Sequence, residues 1–124
     1  MILLLTMMFF HILDDFCLQG ILANLKQKQW WQEHAPEELY KNDWIIALTI
    51  HAFSWTFMIH LPILYYFSHY SEHLYQSELP ILIFLITFAV DWFIHAVVDN
   101  LKANKKKINL ITDQCIHIAQ IIIT

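Results

Sequence analysis

Four long apolar runs alternate with three polar stretches along this chain of 124 residues, and that alternation predicts its elements. A helix needs about 20 residues to cross a hydrocarbon layer roughly 30 Å thick. Runs at 2–25, 44–67, 79–101 and 108–124 meet or approach that length, the last at the lower limit. The intervals between them read KQKQWWQEHAPEELYKND, SHYSEHLYQSE and KANKKK. The expected fold is therefore all-α, a four-helix transmembrane bundle forming a single domain over 1–124, because in lipid a helix satisfies its own backbone. In the first interval, 26–43, Trp30 and Trp31 predict an interfacial anchor, and Pro36 followed by Glu37 and Glu38 predicts a short helix along the headgroups. Pro80 suits a helix start, whereas Pro62 falls late in the second run and predicts a kink.

Lysine placement sets the expected orientation. Every basic residue is a lysine: Lys26, Lys28 and Lys41 lie in the first interval, Lys102, Lys105, Lys106 and Lys107 in the third, and none in the second. By the positive-inside rule the first and third loops face the cytoplasm and both termini face outward. Composition agrees with a bilayer, at 58% hydrophobic residues and one glycine. The formal charge of −4 is no acidic surface, since several aspartates lie inside apolar runs. Cys17 and Cys115 fall in apolar segments without CxxC spacing, so neither a disulfide nor a thiolate site is expected. No basic segment precedes the first run and no small-residue cleavage site follows it, so the run is expected to stay attached. Two short lysine segments without a reader motif speak against nucleic acid as a partner.

Polar residues interrupt the greasy runs at helical spacing. In HILDDFCLQG, residues 11–20, His11, Asp15 and Gln19 fall four apart on one ridge, with Asp14 about 100° away from Asp15 and off it. DWFIHAVVDNLK repeats the spacing with Asp91, His95 and Asp99, Lys102 following; DQCIH adds Asp113 and His117, and the second run contributes His51. Counted at about 1.5 Å per residue from the inner ends, these groups fall in the inner half of the membrane. Only His11 is deeper, nearer 20 Å, which asks the first helix to tilt or to end before residue 25.

Energetics give the pattern meaning. An aspartate at mid-membrane costs roughly 2.5–3.5 kcal/mol, so Asp15, Asp91, Asp99 and Asp113 unpaired would cost on the order of 10 kcal/mol. A divalent cation would turn that penalty into attraction, and imidazole with carboxylate suits zinc, with iron or manganese as alternatives. The candidate ligands are His11, Asp15, His51, His95, Asp99, Asp113 and His117, with Asp15, Asp99 and Asp113 as candidate catalytic carboxylates. These exceed the needs of one zinc, so either some carboxylates orient the imidazoles or two metals share the pocket. Isolated intramembrane histidines are more often hydrogen-bonded glue; that, or simple exposure, is the reading for His60, His69 and His73, while His34 is expected to be solvated. Lys102 is expected to snorkel to the headgroups, with pairing to Asp99 as the sharper alternative.

In HILDDFCLQ, the His51 of IHAFSW, HAVVDNLK and DQCIHIAQ, taken in order, the chain resembles a family of small polytopic membrane proteins of bacteria and their phages, catalogued as a domain of unknown function. The resemblance implies His11, Asp15, Gln19, His51, His95, Asp99, Lys102, Asp113, Gln114 and His117 as pattern positions, in a protein of the bacterial inner membrane that can be phage-encoded. A second histidine common in the second span of that family is absent; Trp55 stands in its neighbourhood. The pattern is also similar to that of membrane-bound metal-dependent hydrolases. Three functions follow as expectations. The first is a metallohydrolase whose activated water attacks an ester, amide or phosphoester of a lipid-like substrate. The second is a metal-ion or proton transporter, disfavoured because the outer halves are apolar apart from His60. The third is a regulatory protein acting on a host or membrane partner, with a structural polar site. Membrane lipids are partners in each, and a homo-oligomer suits a bundle this small.

Overall fold

Apolar runs with few helix breakers fold as helices, and the computed structural model, which describes residues 1–70 and 79–124, contains no other regular element among them. In order these are α1 (Ile2–Ile12), continuing into a π-helical turn (Leu13–Leu18), α2 (Leu22–Leu25), α3 (Lys28–His34), a 3-10 turn (Glu38–Tyr40), α4 (Asp43–Tyr70), α5 (Leu79–Ala103) and α6 (Leu110–Ile123). Most of the second interval, with His73, lies outside the described residues.

Two helices, α4 with 28 residues and α5 with 25, are long and apolar enough to cross a membrane. The first predicted span is not one helix. Gly20 takes a backbone φ of +50°, a left-handed conformation that glycine adopts without penalty, and the helix stops there. A Leu22 N–H to Gln19 carbonyl bond of 2.9 Å closes the turn. At the other end of the chain, α6 has 14 residues, its first turn capped by the Asn109 side chain, which accepts from the Thr112 N–H. The helix expected after Pro36 is only the 3-10 turn; the helical piece of the first interval is α3, before Pro36, where Trp30 and Trp31 sit. Pro62 lies inside α4, which stays helical through it.

The helices close a ring: α1 packs on α4, α4 on α5, α5 on α6 and α6 on α1. Its interior is more polar than its exterior. Among the described residues thirteen buried side chains are polar or charged, against eight hydrophobic ones and Pro62. Phe93 is 70% exposed and Phe16 59%, whereas Asp99 and Asp113 are 0% exposed. A soluble domain does the reverse, since aspartate is almost never buried unless paired and large apolar patches seek cover. The apolar core is a small cluster of Met7, Trp55, Ile59 and Ile121.

Candidate metal centre

Helix boundaries bring the site residues to two levels. Counted at 1.5 Å per residue from the helix ends that carry the 19–42 and 104–109 connections, His11, His51, His95 and His117 lie about 10–12 Å in. Asp15, Asp99 and Asp113 lie one turn closer to those ends, about 5–6 Å in. Ending the first helix near Gly20 instead of residue 25 removes the misfit that His11 posed. Each i, i+4 pair therefore sets an imidazole above a carboxylate, and three such pairs face one another across the ring.

His51 is the centre of the first group. Its Nε2 lies 3.4 Å from Asp15 Oδ1, 3.2 Å from Asp99 Oδ2 and 3.4 Å from His95 Nε2. Ligands bound to zinc at about 2.0–2.1 Å in a tetrahedron stand about 3.3–3.4 Å apart, so each of these three contacts of His51 has about the length of one ligand–ligand edge. A second group faces it: His117 Nε2 lies 3.4 Å from Asp113 Oδ1 and 3.8 Å from Asp99 Oδ1. Two sets of donors, Asp15 with His51 and His95, and His95 with Asp99 and His117, each converge closely enough to hold an ion. His95 stacks on both Trp55 and His117, with ring centroids 4.2 Å apart in each case.

Unpaired atoms point the same way. Asp99 Oδ1, Asp113 Oδ1 and His117 Nε2 are buried without a hydrogen-bond partner, as are the Nδ1 atoms of His51 and His95. Leaving such groups unsatisfied costs about 1–3 kcal/mol each. A cation is one partner that would satisfy Asp99 Oδ1 and His117 Nε2 together, and with His95 these residues fit a divalent metal.

The carboxylates are held from behind. Asp99 Oδ2 accepts from Lys26 Nζ at 2.5 Å, and Asp113 Oδ2 accepts from Lys102 Nζ at 2.5 Å. Gln114 Nε2 donates to Asp15 Oδ2 and Asp113 Oδ2, both at 3.1 Å. Each aspartate thus has one oxygen fixed by a donor and the other turned toward an imidazole. Lys102 turns inward rather than snorkelling. Lys26, read from sequence as a loop lysine, is buried; Asn104 positions it by donating to the Lys26 carbonyl at 3.1 Å and accepting from the Lys28 N–H at 2.7 Å.

Not every sequence candidate faces an ion. Trp55 Nε1–H can only donate, so at 2.7 Å the Nδ1 of His11 must accept. His11 Nε2–H then donates to Gln114 Oε1 at 3.0 Å. Both ring nitrogens are engaged, and His11 orients Gln114, and through it Asp15 and Asp113, from outside the two donor sets. Asp113 likewise stands beside the sets, facing His117. Gln19 donates to the Asp15 carbonyl and caps the π turn.

Six polar residues were not legible as neighbours. The π turn, with its Gln19 N–H to Asp14 carbonyl bond of 3.0 Å, buries Asp14 as well as Asp15, and Ser54 Oγ donates to Asp14 Oδ1 at 2.7 Å. Farther along the ring, Asp91 accepts from Gln120 Nε2 at 3.3 Å and from Thr124 Oγ1 at 2.6 Å. His60, fully buried, has its Nε2 3.8 Å from Asp91 Oδ2 and its Nδ1 2.8 Å from the Thr56 carbonyl. His34 is exposed and stacks on Trp30, His69 is exposed and stacks on Tyr65, and Cys17 and Cys115 are free and exposed. No family model, curated protein or solved structure matches the chain.

Proposed function

We propose that this chain is an intramembrane metal-binding protein and a metal-dependent hydrolase of a lipid-like or membrane-associated substrate, with zinc as the favoured ion. The observation that carries the reading is the buried donor set of Asp15, His51 and His95, drawn from three elements and close enough together to hold an ion. Bound there, a divalent cation supplies Lewis acidity toward water and toward a carbonyl or phosphoryl oxygen. The chain's own residues do the rest: Lys26, Lys102 and Gln114 fix the carboxylates, and Trp55 and His11 fix Gln114. Asp113, whose Oδ1 is unpaired, is placed to accept a proton.

The membrane placement rests on the inverted burial pattern and on α4 and α5. In this reading the ring sits in a bacterial inner membrane with four crossing segments, both termini outside and the lysine-rich connections in the cytoplasm. With Lys26 and Lys102 turned into the site, five lysines still mark that side. The π-extended α1 and the 14-residue α6 reach about 25 and 21 Å, short of the average hydrocarbon core, so the bilayer thins around them. An apolar cavity of about 890 Å³ between α1 and α4, lined by Thr6, Phe10, Pro62 and Tyr65 among others, is large enough for an acyl chain and supports a lipid-like substrate.

The test is metal analysis of the detergent-purified protein, with hydrolysis of ester and phosphoester lipids followed by mass spectrometry. Stoichiometric zinc, lost in His51→Ala together with the hydrolysis, is expected; protein that retains no transition metal contradicts the reading. One observation favours a second reading, transport. Gln120, Asp91, Thr124 and His60 extend the polar line beyond the imidazole layer, where the sequence promised only His60. Ion flux in proteoliposomes, abolished by Asp91→Asn, would put transport first.

A further inference from the structure

Lysines outside the ring are left with charge that no carboxylate offsets. Lys26 and Lys102 turn into the ring, and Lys41 pairs with Glu38 at 2.8 Å. Lys28, Lys105, Lys106 and Lys107 are exposed, and among the described residues none of these four lies within ion-pair distance of a carboxylate. They come from two connections that the fold ties into one surface. Asn104 accepts from the Lys28 N–H at 2.7 Å and donates to the Lys26 carbonyl at 3.1 Å, and Lys106 Nζ donates to Gln29 Oε1 at 3.5 Å. Trp30 and Trp31, edge to face with ring centroids 5.1 Å apart, stand on the same short helix as Lys28. Trp31 Nε1–H anchors that helix by donating to the Leu25 carbonyl at 2.7 Å. The acidic residue of α3, Glu33, is engaged by Gln29 Nε2 at 2.7 Å.

One of the four occupies a position that lysine fills at a cost. Just past the end of α5, Lys106 has a φ of +50°, in a turn that Lys107 closes by donating its N–H to the Leu101 carbonyl at 2.8 Å. Glycine suits the left-handed region, whereas a lysine there is strained. Among the described residues only Gly20 shares a positive φ, and there the chain does place a glycine. Topology does not ask for the difference, because the positive-inside rule counts lysines near the span ends and is indifferent to which of them sits in a left-handed turn. Strain of this kind gathers where a side chain has a binding task. We infer that Lys28, Lys105, Lys106 and Lys107 form a docking surface for the headgroup phosphate of an anionic membrane lipid, with Trp30 and Trp31 beside it at headgroup level. This rests on the membrane placement above and is independent of the metal centre. Charge complementarity selects the occupant: uncompensated lysines bordering the hydrocarbon layer attract anionic headgroups, each contributing about fivefold in affinity, equivalent to about 1 kcal/mol. A zwitterionic headgroup offers no such net attraction.

The experiment titrates the full chain, in neutral detergent with chelator, with phosphatidylglycerol and with phosphatidylcholine of the same acyl chains, bound lipid being counted by native mass spectrometry. Phosphatidylglycerol is expected to bind more tightly. Lys106→Gly should weaken it about fivefold, leave phosphatidylcholine unchanged and raise the denaturant midpoint of the lipid-free protein, because it relieves the backbone as it removes the charge. Lys106→Arg should keep the preference, and Lys105→Gln should weaken it without the gain in stability. Equal affinity for the two lipids in the unsubstituted protein overturns the surface, as does a preference that Lys106→Gly leaves intact. Displacement of phosphatidylglycerol by an equal concentration of inorganic phosphate assigns the surface to a soluble anion and overturns the lipid. A chain that alkaline carbonate releases from the membrane overturns the membrane placement and this inference with it, whereas a chain that stays in the pellet without a lipid preference overturns this inference alone. Lys106→Gly removes strain, so the test does not hinge on a variant that fails to fold.

Discussion

Lys26 is the residue whose removal separates the metal-free protein from the loaded one. Its side chain is 6% exposed and that of Asp99 is 1% exposed, with 2.5 Å between Nζ and Oδ2. Lys26→Met keeps the length and apolar stem and deletes the charge. Without metal, Asp99 is left facing His51 at 3.2 Å, with Lys102 more distant at 3.8 Å. Breaking a buried pair by removing one partner costs about 3–5 kcal/mol, and the remaining lysine places this case at the lower end, about 3 kcal/mol. With metal bound, the cation compensates Asp99 and most of that cost disappears. Linkage then requires the variant to bind metal more tightly by the same amount, roughly 100-fold for about 3 kcal/mol. The assay is denaturant unfolding in micelles followed by circular dichroism, with chelator and with saturating zinc, alongside a zinc titration against a competing chelator. Equal destabilisation in both conditions, or unchanged zinc affinity, would refute the idea that Lys26 and the ion share Asp99. Lys26→Arg, which restores the charge, should recover most of the metal-free stability.

Other outcomes follow from the same contacts. Trp55→Phe leaves the buried His11 Nδ1 without its donor, which should cost about 1–3 kcal/mol and lower zinc affinity roughly 10–100-fold as Gln114 loosens; an unchanged titration would contradict the relay. Asn104→Ala removes both bonds to the Lys26–Lys28 segment and should cost about 1–2 kcal/mol, with faster amide exchange over 22–34 by mass spectrometry. Gly20→Ala strains a position at φ +50° while its added methyl meets nothing closer than 3.6 Å, so a loss of about 1 kcal/mol in the same unfolding assay should come from backbone alone, with Gly20→Asn costing less. Alkaline carbonate washing should leave the chain in the membrane pellet; release to the supernatant would contradict the crossing segments.

The imidazole and carboxylate pairs were legible because α-helical spacing of four needs no tertiary information, and His11/Asp15, His95/Asp99 and Asp113/His117 all keep it. What the spacing cannot show is a change of pitch. The π turn over Leu13–Leu18 is invisible in an apolar run, so Asp14, off the expected ridge, was not expected to be buried. Gly20 did carry a signal, being the chain's one glycine at the end of a polar stretch, but hydropathy carried the predicted span past it to residue 25. Lys26 and Lys102 were read by the rule that lysines in connections face the headgroups. Near a buried carboxylate the competing term wins, because an unpaired Asp99 or Asp113 in a dry interior costs more than bending a lysine inward. The contacts of Asp91 with Gln120, Thr124 and His60 depend on how α4, α5 and α6 meet, and no local pattern encodes that. Length is trimmed in the last run, 108–124, where Ile108 serves as connection and Asn109 and Thr124 cap the ends, which leaves α6 with 14 residues.

The central claim is that imidazole and carboxylate groups from separate helices hold a divalent cation in the interior of the ring. Zinc K-edge X-ray absorption on the zinc-loaded protein tests it most directly. Nitrogen and oxygen neighbours only are expected, at about 2.0–2.2 Å, with outer-shell imidazole scattering, and no bound zinc in His51→Ala. A sulfur neighbour near 2.3 Å, or zinc that washes away on gel filtration, would contradict it.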